Sequence, residues 1–302
     1  MLTRLSGCAK DMDRRSRDFG GMSYVLSYYC RQLLRTDGEM RRDSGIETAS
    51  LTLEVGGETI VDDETFDQKS FLAKVAACPE CPKSACPSPE VYQKAFEGEE
   101  DHQYAVTLSS ELSGSYNSAM LGRSLAMEQD GTKKIHVFNS RSASVGETLI
   151  VRKIAECEKE GMPFGQLVDT VEQYISGQNT YFVLENLETL RKNGRLSNLK
   201  AFVATALKIK PVMGSTPEGT ICQLDQARGI NKALMKMVDY IVKDVREPEK
   251  KVLAISHCNC PERAEIVRDA ILERIHVKDS FILDTRGVSS MYANDGGVIV
   301  VI

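Results

Sequence analysis

The sequence lacks the features that mark membrane-spanning and nucleic-acid-binding proteins. No apolar run approaches the ~18 residues of a transmembrane helix, so we expect no stable membrane insertion. The formal net charge is −5 and no basic stretch is dense, so we expect no nucleic-acid partner. The segment 1–21 is polar and has no apolar core of the signal-peptide kind. We therefore expect a cytoplasmic protein with a poorly ordered N-terminal extension at 1–21.

The nine cysteines form no complete zinc motif. Three lie in CPECPKSAC and two in HCNC, and the residues concerned are Cys78, Cys81, Cys86, His257, Cys258 and Cys260. A CxxC pair with a distant CxC and a histidine can bind zinc, but the second pair at zinc-ribbon spacing is missing. The pattern favours plain thiols and no metal. A zinc or redox protein built on Cys78, Cys81 and Cys86 stays open, and metal analysis would decide it.

Strand-like apolar runs alternate with helical patterns, which is typical of βαβ units and of the α/β fold class. The first half predicts a parallel sheet flanked by helices. The second half predicts a mixed sheet with helices, including a hairpin around Pro217, Glu218 and Gly219. We expect an N-terminal α/β domain at 22–177 and a C-terminal α/β domain at 178–302.

The predicted elements can be given by residue number. In the first half they are strands at 23–29, 47–55, 59–63, 104–110 and 134–140, and helices at 30–43, 67–78, 88–99, 117–127, 147–161 and 164–177. In the second half they are a strand and helix within 181–194, a helix at 199–209, the hairpin at 210–224, helices at 229–245 and 261–275, and strands at 251–257, 280–286 and 296–302.

A stretch rich in hydroxyl groups, LSSELSGSY at 108–116, stands where a predicted strand hands over to a helix. The first amides of a helix lack partners within the helix and carry partial positive charge, so nearby hydroxyls complete an anion site. Simple helix capping needs only one or two such residues. Ser109, Ser110, Ser113 and Ser115 exceed that need, and Gly114 lets a ligand approach the backbone.

The kind of anion follows from what accompanies this turn. No P-loop lysine follows it, so a singly charged carboxylate suits it better than a triphosphate. A GxSxG nucleophile elbow is also absent. A small-molecule kinase or an acyl hydrolase that uses the Ser-rich turn stays as an alternative, which needs an ATP site or a Ser–His pair.

Several segments together resemble the DegV family. LSSELSGSYNSA resembles the family's SSxLSGTYxSA, and SACPSPEVY resembles its TSQPSPxEF. HVFNSRSASVG, LENLETLRKNGRLS, LKIKPVMGSTPEGTI, QARGINKAL and HCNCPERAE match further family segments in the same order. The resemblance covers residues 22–302, and the combination is more specific than any one segment.

The resemblance implies a fatty-acid-binding carrier, not an enzyme, with two α/β domains and the lipid site at their junction. The expected ligand is a long-chain fatty acid, and the expected partner is a separate fatty acid kinase subunit. No cofactor is implied. Carried over by residue, carboxylate binding falls on Ser84 and on Ser109 or Ser110, with Ser110 favoured; Ser113 and Gly114 shape the turn, and Arg228 is a candidate for the kinase-facing surface.

Two segments depart from the family pattern. Near the C-terminus the family has GTHxGPG where this chain has SMYAND, so Tyr292 stands at the histidine's place and is expected at the ligand site. A phenol donates a hydrogen bond but carries no positive charge at neutral pH. The family's early Asp-Ser pair is replaced by Tyr28 and Tyr29. Both departures bear on kinase partnering more than on lipid binding.

Overall fold

The protein is described here by a computed structural model, which describes residues 22–26, 45–98, 100–197 and 208–302. Two larger β-sheets and one small sheet carry the architecture. Within those residue ranges no helix is long and apolar enough to cross a membrane.

The first sheet is parallel and has the strand order β2-β1-β6-β7. Its strands are β1 (Met22–Leu26), β2 (Gly45–Thr48), β6 (His102–Thr107) and β7 (Lys134–Asn139). Side chains alternate across a strand, so Tyr104 and Val106 face one layer while Ala105 faces the other. In β6 both faces are buried, since every residue from Gln103 to Thr107 is buried.

Helices cover both faces of this sheet. One layer is formed by α2 (Pro89–Ala95) and α3 (Ser115–Gln129), the other by α4 (Val145–Lys159) and α5 (Phe164–Ser176). Helix α3 buries only small residues, including Ala119, Gly122 and Ala126, so α2 can approach it closely. A Cβ on Gly122 would lie 2.6 Å from the carbonyl oxygen of Pro89.

The second sheet is mixed and has the order β10-β9-β8-β13-β11-β12. Its strands are β8 (Thr180–Val183), β9 (Ile209–Ser215), β10 (Ile221–Arg228), β11 (Val252–His257), β12 (Asp279–Asp284) and β13 (Val298–Val301). Only β11 and β12 run parallel; the other neighbours are antiparallel. Helices α7 (Ile230–Asp244) and α8 (Pro261–Leu272) cover one face.

The other face of the mixed sheet looks toward the first sheet. Part of it packs on α4, through Val145 and Leu149 against Ala254 and Val301. The rest faces α6 (Glu188–Lys192) and α9 (Gly287–Ala293). Strand β8 has residues on both faces of the sheet. Tyr181 and Val183 pack in the core beneath α7 and α8, whereas Phe182 lies on the opposite face.

A small antiparallel sheet, β4-β3-β5, joins the two larger units. Its strands are β3 (Thr52–Val55), β4 (Glu58–Val61) and β5 (Lys83–Ala85), and α1 (Gln68–Ala77) follows β4. Its apolar side packs on α9, with Leu53 and Phe71 against Met291.

The parallel sheet flanked by helices and the mixed second sheet confirm the predicted fold class. The single predicted strand at 47–55 is wrong: the chain leaves the first sheet after β2 and enters the small sheet at β3, and the apolar alternation through Leu51 and Leu53 hides the switch. Strand β5 and helix α9 were not predicted, because each is short. The extension at 1–21 and the predicted helix at 30–43 lie outside the described residues. So do residues 199–207 of the helix predicted at 199–209.

Replacing Gly122 with alanine tests the close α2–α3 contact. Alanine favours an isolated helix over glycine by about 1 kcal/mol. The collision with the Pro89 carbonyl should outweigh this gain, so Gly122→Ala should lower the free energy of unfolding by about 1–3 kcal/mol. Urea denaturation followed by circular dichroism measures it.

Gly165 in the first turn of α5 is the matched control, because a Cβ there meets no atom within 4 Å. Gly165→Ala should leave stability unchanged or raise it by up to about 1 kcal/mol. Equal stability of the two variants would contradict the packing described for α3.

Candidate functional site

A cavity of about 860 Å³, its open mouth included, lies between the two large sheets. The first sheet contributes the turns after β6 and β7, that is, the carboxyl ends of its strands, where open α/β sheets usually bind ligands. The second sheet contributes the side chains on its inner face, and α9 closes a third side.

Apolar side chains form most of the cavity wall. They come from both sheets and the turns beside them, and include Leu108, Leu112, Phe182, Leu184, Ile221 and Ile299. Phe182 and Ile299 face the cavity because side chains alternate along a strand, and the residues on either side of each pack against α7 and α8 on the other face of the sheet. An aliphatic chain in contact with this wall loses no hydrogen bonds and gains burial.

One end of the cavity is polar and is built by Ser84, Tyr292 and Arg195. The Ser84 hydroxyl lies 3.3 Å from the Tyr292 hydroxyl. The Arg195 guanidinium lies over the Tyr292 ring, 5.5 Å from its centre, and its Nε donates to the Leu112 carbonyl. Two hydroxyls and one permanent cation therefore meet at the cavity wall.

Separate elements place these three side chains. Ser84 is in β5 and pairs with Leu53 of β3. Tyr292 is near the end of α9. Arg195 follows α6, where Gly194 adopts φ +78° and the Arg195 amide bonds back to the Leu190 carbonyl at 2.8 Å, closing the helix with a left-handed glycine.

The Ser-rich turn beside this polar end uses most of its hydroxyls for its own structure. Buried Ser109 donates to the Gly219 carbonyl at 2.9 Å and so ties the turn to the β9–β10 hairpin. The Ser110 hydroxyl accepts a 2.8 Å bond from Asn139. The Ser113 hydroxyl accepts from the amide of Ser115, the first residue of α3, at 3.2 Å.

The structure therefore divides the residues predicted for the site. Ser84, Ser113 and Tyr292 line the cavity. Ser109 and Ser110 lie in the turn behind it and are absent from its lining, so a direct ligand contact by Ser110 stays a prediction.

The remaining predicted residues lie away from the lining. Gly114 is exposed, and a Cβ on it would lie 3.1 Å from the Cys86 sulfur. Arg228 is exposed at the end of β10. Tyr28 and Tyr29 lie outside the described residues.

Two arginines of the cavity were missed by the sequence reasoning. Arg195 belongs to LENLETLRKNGRLS and Arg141 to HVFNSRSASVG, and both segments carried only a resemblance. Arg141 adopts φ +50° and lies on another part of the lining, with Ser142, Thr180 and Ser215. The signal available for Arg195 was its place just after a glycine stop in a segment that matches the family.

The second polar part of the lining is internally hydrogen-bonded. The Ser142 and Thr180 hydroxyls are 2.6 Å apart, and the Thr180 amide donates to the Ser215 hydroxyl at 3.3 Å. Arg141 donates to Ser176 at 3.4 Å and approaches Glu172 at 4.0 Å. Arg141 therefore already faces a carboxylate, that of Glu172, at ion-pair distance.

The cysteines that the structure describes do not converge on a metal site. Among the residues that the structure describes, no group of three or more His, Cys, Asp or Glu side chains is placed to hold a metal ion. Cys258 and Cys260 are buried, and burial raises the pKa of both thiols, that of Cys260 to about 12. Burial lowers the pKa of His257, whose Nδ1 accepts from the Cys260 amide at 3.3 Å.

Fold and cavity together define an α/β protein with an apolar chamber between a parallel and a mixed sheet. A family model described as an uncharacterised protein, DegV family, matches residues 34–302. The chain belongs to the DegV family.

Known proteins resemble the chain over most of its length. A solved DegV-family structure from Ruminococcus gnavus, described with vaccenic acid, is 51% identical, with TM-score 0.88, over 94% of this chain and 100% of that one. The Streptococcus pneumoniae Fatty Acid Kinase (Fak) B3 protein, loaded with linoleic acid, is 30% identical, with TM-score 0.83, over 93% and 98%. A DegV domain-containing protein from Streptococcus gordonii is 32% identical over 262 residues, 87% of this chain and 92% of its own.

Removing the Ser109 hydroxyl tests the bond between the Ser-rich turn and the hairpin. Ser109→Ala leaves the Gly219 carbonyl without this donor, which should cost about 1–3 kcal/mol of stability. The unfolding midpoint in urea measures the loss.

Ser124→Ala is the control, because Ser124 is exposed and only bonds back to Met120 in its own helix. Its effect should stay within about 0.5 kcal/mol. A Ser109→Ala protein as stable as the control would show that the bond contributes nothing to the junction.

Proposed function

We propose that this protein binds one long-chain fatty acid, with the acyl chain in the cavity and the carboxylate at Ser84, Tyr292 and Arg195. The observation that carries the proposal is an apolar chamber with hydroxyls and a cation gathered at one end. The two relatives described with vaccenic and linoleic acid support the same ligand class.

Burial of the acyl chain supplies most of the affinity. Each methylene removed from water contributes about 0.8 kcal/mol before the cost of ordering the chain. Leu108, Phe182 and Ile221 are the kind of wall that receives such a chain. The polar end contributes orientation, since it favours the acid head over the methyl end.

The carboxylate is recognised by donors of two kinds. The hydroxyls of Ser84 and Tyr292 can each donate one bond, and the guanidinium of Arg195 has N–H groups beyond the two used on the Leu112 and Asn193 carbonyls. Charge-assisted bonds of this kind are about twice as strong as neutral ones. Arg195 provides the positive charge that Tyr292 lacks.

The Ser-rich turn supports this end of the cavity from behind. Ser113 reaches the lining, while Ser109, Ser110 and Gly114 shape the backbone next to it. We propose direct carboxylate contact for Ser84 and Ser113 before Ser110, because Ser84 and Ser113 line the cavity and Ser110 does not.

We further propose that the protein is a carrier that presents the bound acid to a separate kinase subunit and has no catalytic machinery of its own. The support is the 30% identity to a protein described as a component of a fatty acid kinase. Exposed Arg228 is the candidate contact for that partner. The proposed domain boundary, near residue 177, lies between α5 and β8. Residues from both proposed domains, 22–177 and 178–302, line the cavity.

Binding is tested directly by the lipid that co-purifies. Native mass spectrometry of the purified protein should show one fatty acid per chain, and an added fluorescent acyl probe should be displaced by oleate. Ser84→Ala should weaken oleate binding about fivefold, the effect of losing one hydrogen bond to a charged group that water partly replaces.

Ser88→Ala serves as the matched control, since Ser88 is four residues away, exposed and absent from the cavity lining. Its oleate affinity should equal that of the unmodified protein. No co-purified acid together with no oleate binding would refute the proposed function, and equal loss in both variants would remove Ser84 from the site.

The carrier role is tested by adding ATP, magnesium and oleate to this protein alone. Acyl-phosphate trapped with hydroxylamine should stay at the level of a reaction without protein, because a carrier supplies no phosphoryl-transfer chemistry. Acyl-phosphate, or oleate-dependent ATP consumption, would favour an enzyme that uses the Ser-rich turn.

A further inference from the structure

A buried carboxyl group, that of Asp62, lies outside the polar end of the cavity but contacts the helix that forms it. Asp62 follows β4 and is only 6% exposed. Its backbone amide donates to the carbonyl of Leu51, itself a cavity residue, at 2.9 Å. Charged side chains are rarely buried to this extent without a specific partner.

The partner of Asp62 is the start of α9. One carboxyl oxygen, Oδ2, accepts the Val288 amide at 2.9 Å. The carboxyl group also occupies the space beside Gly287, where a Cβ would lie 1.7 Å from the Asp62 Cγ. Gly287 has φ +30°, so glycine is required there both for the backbone and for the carboxyl group.

Helix α9 is a wall of the ligand chamber. Val288, Ser289, Tyr292 and Ala293 all line it, and Tyr292 is the residue that meets Ser84. The start of α9 therefore sets where the Tyr292 hydroxyl lies.

Two further hydrogen bonds join the segment that follows β4 to the residues at the start of α9. Arg286 donates to the Phe66 carbonyl at 3.0 Å, and Gln68 donates to the Thr285 carbonyl at 2.6 Å. Residues 62–68 thus hold residues 285–288 at several points. Asp62 contributes a carboxyl group to this contact, and its second oxygen, Oδ1, is buried with no hydrogen-bond partner among the described residues.

Burial raises the pKa of Asp62 to about 6. The bond from Val288 and the charge of Arg286 act in the opposite direction, and Asp63 adds to the rise. The other titratable side chains in the apolar cluster beneath α9 are Cys78 and Tyr292. Because the pKa is raised, the stability that Asp62 contributes is fully present below about pH 4 and is lost as the pH rises through about 6. At neutral pH the fold therefore keeps an ionised carboxylate at a cost in stability.

We propose that the ionised Asp62 carboxylate is a positioning residue for the fatty acid site, which acts through Val288 and Gly287 to hold α9 and keep the Tyr292 hydroxyl beside Ser84. This rests on the proposed function, because it explains the stability lost by burying the charge as a requirement of fatty acid binding. A carboxylate accepts the Val288 N–H more strongly than a carboxylic acid or an amide does. Protonation or removal of the charge should loosen α9 without unfolding the protein.

The test compares Asp62→Asn with the unmodified protein by displacement of a fluorescent acyl probe with oleate. At about pH 7.5 the variant should bind oleate roughly three- to tenfold more weakly, and at about pH 5 the two affinities should converge because Asp62 is then protonated. Ionisation of oleate itself affects both proteins equally. Thermal unfolding at about pH 7.5 should show no loss of stability in the variant, since a buried charge has been removed.

Asp63→Asn is the matched control, because Asp63 is the next residue, faces solvent and bonds only to Thr65 in the described structure. It should bind oleate like the unmodified protein at both pH values. Gly287→Ala approaches the same contact from the helix side and should also weaken binding, because its Cβ collides with the carboxyl group.

Hydrogen exchange without ligand gives a readout that does not depend on the proposed function. Asp62→Asn should speed exchange in the peptide that covers 287–293 and leave the rest of the protein unchanged. Equal oleate affinity at about pH 7.5, an affinity ratio that does not change with pH, or faster exchange throughout the protein would each overturn the positioning role. Failure of the unmodified protein to bind oleate would instead refute the proposed function, while the exchange result would still decide whether Asp62 holds α9.

Discussion

The chamber depends on one contact between the two large sheets, which joins them at the edge of an apolar space. The turn after β6 carries Ser109, whose hydroxyl bonds to Gly219 in the hairpin of the other sheet. Gly219 has φ +92°, and a Cβ there would lie 2.4 Å from the Ser109 oxygen, so the hairpin can approach only because no side chain intervenes. Around this contact the carboxyl ends of the parallel strands and the inner face of the mixed sheet leave an apolar space between them.

Polar groups at this junction serve two different purposes. Most hydroxyls, including those of Ser110, Ser142 and Thr180, are engaged with protein partners and stabilise the walls. At one end, Ser84 and Tyr292 meet each other beside a guanidinium, and they are the groups that an anionic head can use. The buried Asp62 then connects the small sheet to α9, so that each of the three sheets contributes to one site.

The sequence predicted the α/β class, the parallel and mixed sheets and most helices, because long apolar periodicities encode them. It did not predict that 47–55 divides between two sheets, since alternation through Leu51 and Leu53 is the same whichever neighbour the strand has. Ser84 and Tyr292 were identified only through family resemblance. Arg195 was missed because its role depends on Tyr292, almost a hundred residues away, and such pairings are set by tertiary packing.

A crystal structure of the protein grown with oleate tests the central claim most directly. The account predicts the carboxylate within hydrogen-bond distance, about 2.6–3.2 Å, of the Ser84 and Tyr292 hydroxyls, with Arg195 beside it and the acyl chain against Phe182 and Ile221. A carboxylate bound instead at Arg141, or an acid that lies outside the chamber, would contradict it.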